Sequence, residues 1–244
     1  MKWRGKRRVY VGSVRLRVLT WNLLHGRSVP SAGRDLFDEF CAALTRWDWD
    51  VALLQEVPPW WPSRLGARLD TDQRSVLTSR NALLPLRRAV AIRWPDLIKS
   101  NGGGANAILV RGDAVAEHRW RRLCLWPERR WVHAVRLRGA GVWVANLHAG
   151  GPMRDAMRAA ESAVTWAGPD APLVLGGDFN IRGLTLDGFE YAGGHEIDHV
   201  FARGPRPVAS EVLDRGRLSD HAPVRAELTI DSAPAPRSRE KPSM

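Results

Sequence analysis

The chain has 244 residues, 44% of them hydrophobic, and a formal charge of +11. That length and apolar share suit a globular fold with a substantial core and argue against a disordered chain or a small disulfide scaffold. The positive balance favours an anionic partner such as nucleic acid, but only four of the 37 basic residues are lysine (Lys2, Lys6, Lys99, Lys241). Such arginine use also follows from a GC-rich genome, so charge alone does not specify DNA.

The first thirteen residues form a basic segment. Arg15 and Arg17 interrupt the next apolar residues, leaving no stretch suited to a signal sequence. Residues 14–21 alternate, with Val14, Leu16 and Val18 on one face and Arg15 and Arg17 on the other, which predicts a strand. Residues 34–47 carry Leu36, Phe37, Phe40, Ala43, Leu44 and Trp47 at helical spacing. Residues 51–54 read as a short buried strand ending at Gln55-Glu56, and 58–69 as a helix opened by proline. Residues 70–95 are the least readable part and are expected to form short strands and turns. Strands are predicted again at 105–110, 131–137 and 141–147, a helix at 153–166, and a strand at 171–176 that runs into Gly177-Asp178-Phe179-Asn180. Two further strands, 197–202 and 223–228, precede a tail from 231 to 244 rich in Ser, Pro and charge, which is expected to be disordered. Cys41 and Cys124 lack disulfide or metal spacing and read as small apolar residues. No run approaches the ~18 apolar residues of a membrane helix. The expectation is one domain spanning residues 14–230, cytoplasmic and monomeric.

Several predicted strands end in a polar residue of catalytic type, and open sheets gather ligands where strand ends and loops converge. These residues are Asn22, Glu56, His148, Asp178 and Asn180; Ile197 introduces Asp198 at the start of strand 197–202, and Leu218-Ser219 leads into the Asp220-His221 pair. Alone, each has a plainer reading as a cap, a turn former or a surface group. Side chains at i and i+2 of an extended segment share a face, so Asp178 and Asn180 can point at one reacting group. Adjacent Asp220 and His221 diverge, which suits separate tasks.

Taken in order, Thr20-Trp21-Asn22, Leu54-Gln55-Glu56, Asn146-Leu147-His148, Gly177-Asp178-Phe179-Asn180, Ile197-Asp198-His199-Val200 and Ser219-Asp220-His221 resemble the motif series of the endonuclease/exonuclease/phosphatase superfamily, which includes enzymes similar to deoxyribonuclease I and exonuclease III. The resemblance covers residues 14–228. It implies an α/β fold, a four-layer sandwich of two packed mixed sheets with helices outside. It also implies hydrolysis of a phosphoester with a divalent cation, Mg²⁺ or in its place Mn²⁺. By the same resemblance Glu56 is the principal metal ligand, Asn22 is a companion ligand or an orienting amide, and Asp220 completes the metal environment. Asp178 positions or deprotonates the attacking water, and Asn180 orients Asp178 or the phosphate. His221 meets the scissile phosphate and is oriented by Asp198. His148 is a second phosphate histidine, which stabilises charge or protonates the leaving oxygen. The resemblance also implies a substrate-facing polar group at Asn106, in Gly102-Gly103-Gly104-Ala105-Asn106, whereas the plainer reading of this stretch is a flexible loop before an edge strand. His25 and His199 receive no role, and His199 stands where relatives often carry tyrosine.

This catalytic set serves nucleases and small-molecule or lipid phosphoesterases alike, so fold and motif leave the substrate open. The basic balance favours a nuclease or phosphodiesterase acting on nucleic acid. Trp60, Trp61, Trp94, Trp120, Trp126 and Trp131 then stack on bases, unless they are core residues. The segment 117–122 is the strongest basic–aromatic patch, although a solvated strand face reads the same. Gln55-Glu56 is followed by Val57-Pro58 rather than the Thr-Lys of many abasic-site enzymes. The alternative is a phosphatase or phosphodiesterase on an inositol-phosphate or sphingomyelin type of substrate. A non-catalytic nucleic-acid-binding module is disfavoured by the intact residue set.

Overall fold

The computed structural model describes residues 13–78, 83–94, 97, 103–126 and 128–231. The basic segment up to residue 12 and the tail from 232 lie outside the described residues. In chain order the elements are β1 (Val14–Asn22), α1 (Phe37–Arg46), β2 (Val51–Val57), α2 (Pro62–Leu69), β3 (Asp72–Thr78), α3 (Leu84–Arg93), β4 (Gly104–Val110), β5 (Val115–Cys124), β6 (Arg130–Leu137), β7 (Trp143–His148), α4 (Met153–Ala167), β8 (Leu173–Asp178), β9 (Glu190–His195), β10 (Asp198–Arg203), β11 (Arg206–Val212) and β12 (Val224–Ile230).

Two six-stranded sheets result, ordered β11-β12-β1-β2-β4-β3 and β5-β6-β7-β8-β10-β9. Each has one parallel pair at its centre, β1/β2 in the first and β7/β8 in the second, with every other neighbour antiparallel. The sheets therefore repeat one strand plan. Because parallel strands run the same way, the carboxyl ends of each central pair emerge on one edge of the sheet. The two edges face each other.

Alternation along the strands divides the apolar residues between the layers. Val18, Leu53 and Ile108 of the first sheet pack between the sheets against Val135, Val144, Val174 and Val200 of the second. Leu19, Trp21, Ala52 and Leu54 face outward onto α1 and α2, where Phe40 packs tilted against Trp21 and edge-to-face against Trp61. Ala134, Leu147 and Leu175 face outward onto α4. The expected four-layer arrangement is the observed one. Among the described residues α3 buries no side chain.

The differences from the predicted elements are local. The first helix begins at Phe37 rather than residue 34 because the Asp35 carboxylate accepts from the Phe37 amide at 3.0 Å, turning the chain into the helix there. Residues 58–61 form a turn closed by the Trp61 amide on the Pro58 carbonyl, so α2 starts four residues later than the proline suggests. Four strands have no predicted counterpart, and all four are sheet edges: β3, β5, β9 and β11. The stretch expected to hold short strands and turns contains β3 but also a ten-residue helix, α3. Gly177 is dictated by packing. Its φ is +145°, and a Cβ there would lie 2.1 Å from the Leu147 carbonyl oxygen of the neighbouring strand.

Candidate active site

The carboxyl ends of the two parallel pairs supply four of the predicted residues. Asn22 ends β1, Glu56 lies at the end of β2, His148 ends β7 and Asp178 ends β8. His148 stands directly opposite Asp178 in the β7/β8 register, and Asp198 stands opposite Asp178 in the β8/β10 register. His221 comes from the loop before β12, whose backbone is pinned to β1: the Ser219 hydroxyl donates to the Asn22 carbonyl at 2.7 Å and accepts from the His221 amide at 3.1 Å. The Trp21 indole donates to the His221 carbonyl.

The Asp178 carboxylate is the centre of the group. Its Oδ2 accepts from Asn22 Nδ2 at 2.9 Å and lies 3.4 Å from His148 Nε2 and 3.9 Å from His221 Nε2. On the facing sheet Glu56 Oε2 lies 3.0 Å from His25 Nε2, and its Oε1 3.9 Å from His148 Nε2. His148 thus stands between the two carboxylates. Asp198 Oδ2 meets His221 Nδ1 at 2.7 Å, leaving His221 Nε2 to face Asp178.

Burial and neighbouring charge set these groups apart. Burial favours the neutral form of Glu56, but the bond to His25 and the positive charge of its surroundings, including Arg130, outweigh it and hold the carboxyl at about 2. Burial pushes His148 down to about 3, helped by Arg130, so its contacts to Glu56 and Asp178 are those of a neutral ring. His221 behaves oppositely: burial is overcome by the Asp198 bond and charge, and the ring rises to about 9. Asp178 is raised well above the usual carboxylate range by burial and by the negative charge of Asp198.

Backbone strain gathers at the same place. Leu24, His25, Glu56, Asn180 and Ser219 all have positive φ, between 48° and 61°, a conformation that side chains other than glycine adopt at a cost.

Three predicted residues sit differently from their expected poses. The chain is no longer extended after Asp178: Asn180 is left-handed, its amide N–H donates to Asp178 Oδ1 at 2.9 Å, and its side chain donates to the Ala149 carbonyl. Asn180 therefore orients Asp178 through the backbone instead of sharing a face with it. Asp220 is half-exposed, with its Oδ1 3.8 Å from His221 Nε2 and 3.4 Å from the Ser219 hydroxyl. Asn106 is fully buried between the sheets, its Nδ2 3.5 Å from the Trp131 carbonyl and its Oδ1 without a partner among the described residues. It is not presented to a substrate.

His25 is the residue without a predicted role that joins the site. It lies three residues after Asn22, and its Nδ1 contact with Gly103 fixes the ring against Glu56. His199 is buried beside the site, where its Nε2 donates to the Ile181 carbonyl at 2.7 Å just beyond Asn180. Of the tryptophans considered for stacking, Trp61 is core, whereas Trp94, Trp120 and Trp126 are exposed.

The donor set fits a hard divalent cation. Glu56 is ionised, Asp178 and Asp198 crowd two buried carboxylates together, and the Oδ1 of Asp198 has no partner among the described residues. Ligand atoms of Asp178, Asp198 and His221 lie within 4.8 Å of one another. Oxygen-rich sites of this kind suit Mg²⁺ and similar ions.

The sequence profile of the Endonuclease/Exonuclease/phosphatase family matches residues 19–221. The chain belongs to that family. Its members hydrolyse phosphoester bonds and are generally dependent on divalent metal. No curated protein sequence matches the chain. Among solved structures it is similar to an endonuclease/exonuclease/phosphatase from Beutenbergia cavernae DSM 12333, at 20% identity over 88% of this chain and 72% of that one, TM-score 0.67. It is similar to a humanized D. rerio TDP2 at 17% identity, covering 88% and 98% of the two chains with TM-score 0.63. A mannosyl-6-phosphatase, Bt3783 of Bacteroides thetaiotaomicron VPI-5482, gives 18% identity, 87% and 99% coverage and TM-score 0.63. At these identities the likeness is one of fold. Among the described residues no helix is long and apolar enough to cross a membrane.

Proposed function

We propose that this protein is a Mg²⁺-dependent phosphodiesterase that hydrolyses nucleic-acid phosphodiester bonds, Mn²⁺ being able to replace Mg²⁺. The observation that carries the catalytic part is the placement of Asp178 between Asn22, His148 and His221, with Glu56 across the gap between the sheets. Glu56 and Asn22 would hold the cation, with Asp220 at its outer side; bound there, it supplies positive charge to the phosphate oxygens. Asp178 accepts the proton of the attacking water, and its raised basicity suits that role near neutral pH. Asn22 and the Asn180 amide keep the carboxylate aimed.

The two histidines divide the remaining work. His148 is neutral and donates a hydrogen bond to a phosphate oxygen without a net charge to lose. His221, kept protonated by Asp198, supplies a proton to the leaving oxygen. This favours His221 over His148 as the acid. Nucleic acid is supported by the net charge of +11 and by exposed Trp120 and Trp126 on and after an arginine-rich edge strand, β5.

The test is hydrolysis of plasmid, single-stranded DNA, abasic duplex, RNA, sphingomyelin, inositol phosphates and a sugar 6-phosphate, each with Mg²⁺, Mn²⁺ or EDTA. Cleavage of a nucleic acid that EDTA abolishes is the expected result. Turnover confined to the sugar, inositol or lipid substrates would replace the nucleic-acid reading. The structural likeness to a mannosyl-6-phosphatase favours the sugar phosphate as the second reading.

A further inference from the structure

Glu56 sits at a defect in its sheet. β2 and β4 pair regularly through Leu54 and Ala107, and pairing resumes at Val57 and Ala105, so Gln55 and Glu56 stand opposite the single residue Asn106. This is a β-bulge, with Glu56 as its left-handed member at φ 49°. The bulge lets Gln55 stay between the sheets and Val57 return to the outer core, while Glu56 is turned to the edge where His148 and His25 meet it. A strained residue keeps such a conformation only when its surroundings over-determine it.

The opposite sheet supplies the constraint. Asn146, fully buried on β7, donates from Nδ2 to the Leu54 carbonyl at 3.0 Å and the Ala107 carbonyl at 2.9 Å, the last regular pair before the bulge. Its Oδ1 accepts from Gln55 Nε2 at 2.8 Å. Gln55 in turn reaches the Leu53 carbonyl and the Thr20 hydroxyl, and its own carbonyl accepts from the Leu23 amide. One amide thus grips both strands of the bulge and its first residue. It also sits two residues before His148 on the same strand. The distance between Glu56 and His148 is therefore set by one side chain that bridges the sheets.

We propose that Asn146, with Gln55, is a positioning residue that locks the β2 bulge and so fixes the Glu56 carboxylate for its cation. The inference rests on the reading of Glu56 as a metal ligand. Asn146 itself touches neither cation nor substrate. Outer partners that orient a ligand typically cost 10–100-fold in metal affinity or activity when lost.

The experiment titrates Mg²⁺ alone into the full chain by calorimetry and compares Asn146→Leu with Val144→Ala. Val144 lies on the same strand and inner face but in the apolar layer, so its truncation reports stability loss without touching the bulge. Asn146→Leu is expected to weaken Mg²⁺ binding about 10- to 100-fold, with Val144→Ala binding as wild type does at a similar loss of thermal stability. A folded Asn146→Leu that binds Mg²⁺ within about twofold of wild type overturns the inference. If leucine blocks folding, Asn146→Ala, which admits water to the two carbonyls, is read by the same criterion. Glu56→Gln separates the two levels: unchanged Mg²⁺ binding there defeats the metal reading of Glu56 itself, whereas lost binding there with intact binding in the Asn146 variants defeats only the role of Asn146.

Discussion

The two sheets share one strand plan, and each brings the carboxyl ends of its central parallel pair to the same gap, yet the halves of the site they build are electrostatically opposite. On the first sheet Glu56 stands among His25, His148 and Arg130 and is held ionised at about 2. On the second, Asp178 and Asp198 face each other across a strand pair, burial raises both, the charge of Asp198 raises Asp178 further, and the proton they favour is kept on His221. Identical topology therefore fixes where polar groups arrive and leaves their protonation to the neighbours. The first half carries a standing negative charge. The second holds two raised carboxylates beside a protonated imidazole.

The strongest way to break that contrast is to neutralise each half in turn. Asp178→Asn is expected to lower kcat by about 10³- to 10⁴-fold. Its thermal midpoint at pH 8 should stay level or rise, because the replaced carboxylate is ionised there against burial and Asp198. Glu56→Gln should also abolish turnover but lower the midpoint, since it removes a carboxylate that its surroundings favour. Differential scanning calorimetry beside steady-state kinetics checks both. A midpoint that falls in Asp178→Asn as far as in Glu56→Gln would erase the distinction.

Next in size is the Asp198–His221 pair. Asp198→Asn leaves His221 buried without its carboxylate, so the ring should fall from about 9 to below its ordinary ~6.5, with kcat near neutral pH down about 10²-fold or more. Imidazole resonances followed by NMR against pH measure the first effect directly. The same shift has a sign in stability. A folded-state pKa above the unfolded value means the folded chain binds the extra proton between ~6.5 and about 9, so this contribution is complete below that window and lost as pH rises through it. Thermal midpoints of wild type and Asp198→Asn should therefore converge as pH climbs towards 9. A gap that widens would show that His221 is not held protonated by Asp198.

Much of this is legible in the sequence because alternation and motif order are local. Val14 to Arg17 announce a strand, Glu56, His148 and Asp178 come after apolar runs at strand ends, and the motifs around Asp198 and His221 follow in order. The features that sequence hides depend on contacts distant in the chain. β9 holds Gly193, whose added Cβ would lie 2.4 Å from Ser210 Cβ, so a strand shaped for close approach reads as a glycine turn. β11 is exposed almost throughout and has no buried face to alternate. His25 reaches Glu56 only because residues 24 and 25 both adopt positive φ. An extended reading misplaces Asn180 beside Asp178, because a carboxylate can capture the amide two residues on and end the strand. Which histidine keeps its proton is not written in the motifs, since burial and the Asp198 bond decide it.

The smallest expected effect lies at His199. Its Nε2 donates to the Ile181 carbonyl at 2.7 Å, and its ring lies between Phe179 and Tyr191. It thereby ties β10 to the loop whose Asn180 amide holds Asp178, so it belongs to the Asp178 half and, among the described residues, makes no hydrogen bond or ring contact with the Glu56 half. His199→Phe keeps the ring volume and leaves the Ile181 carbonyl unpaired, a cost of about 1–3 kcal/mol. Slackening of the Asn180 turn should lower kcat by no more than about 10-fold and leave Mg²⁺ affinity unchanged. His199→Tyr, if its hydroxyl finds the same carbonyl, should recover part of both losses. Chemical denaturation and calorimetric Mg²⁺ titration of the two variants decide the matter: weakened Mg²⁺ binding in His199→Phe would mean that the two halves are mechanically coupled, and that the contrast between them is one of charge alone.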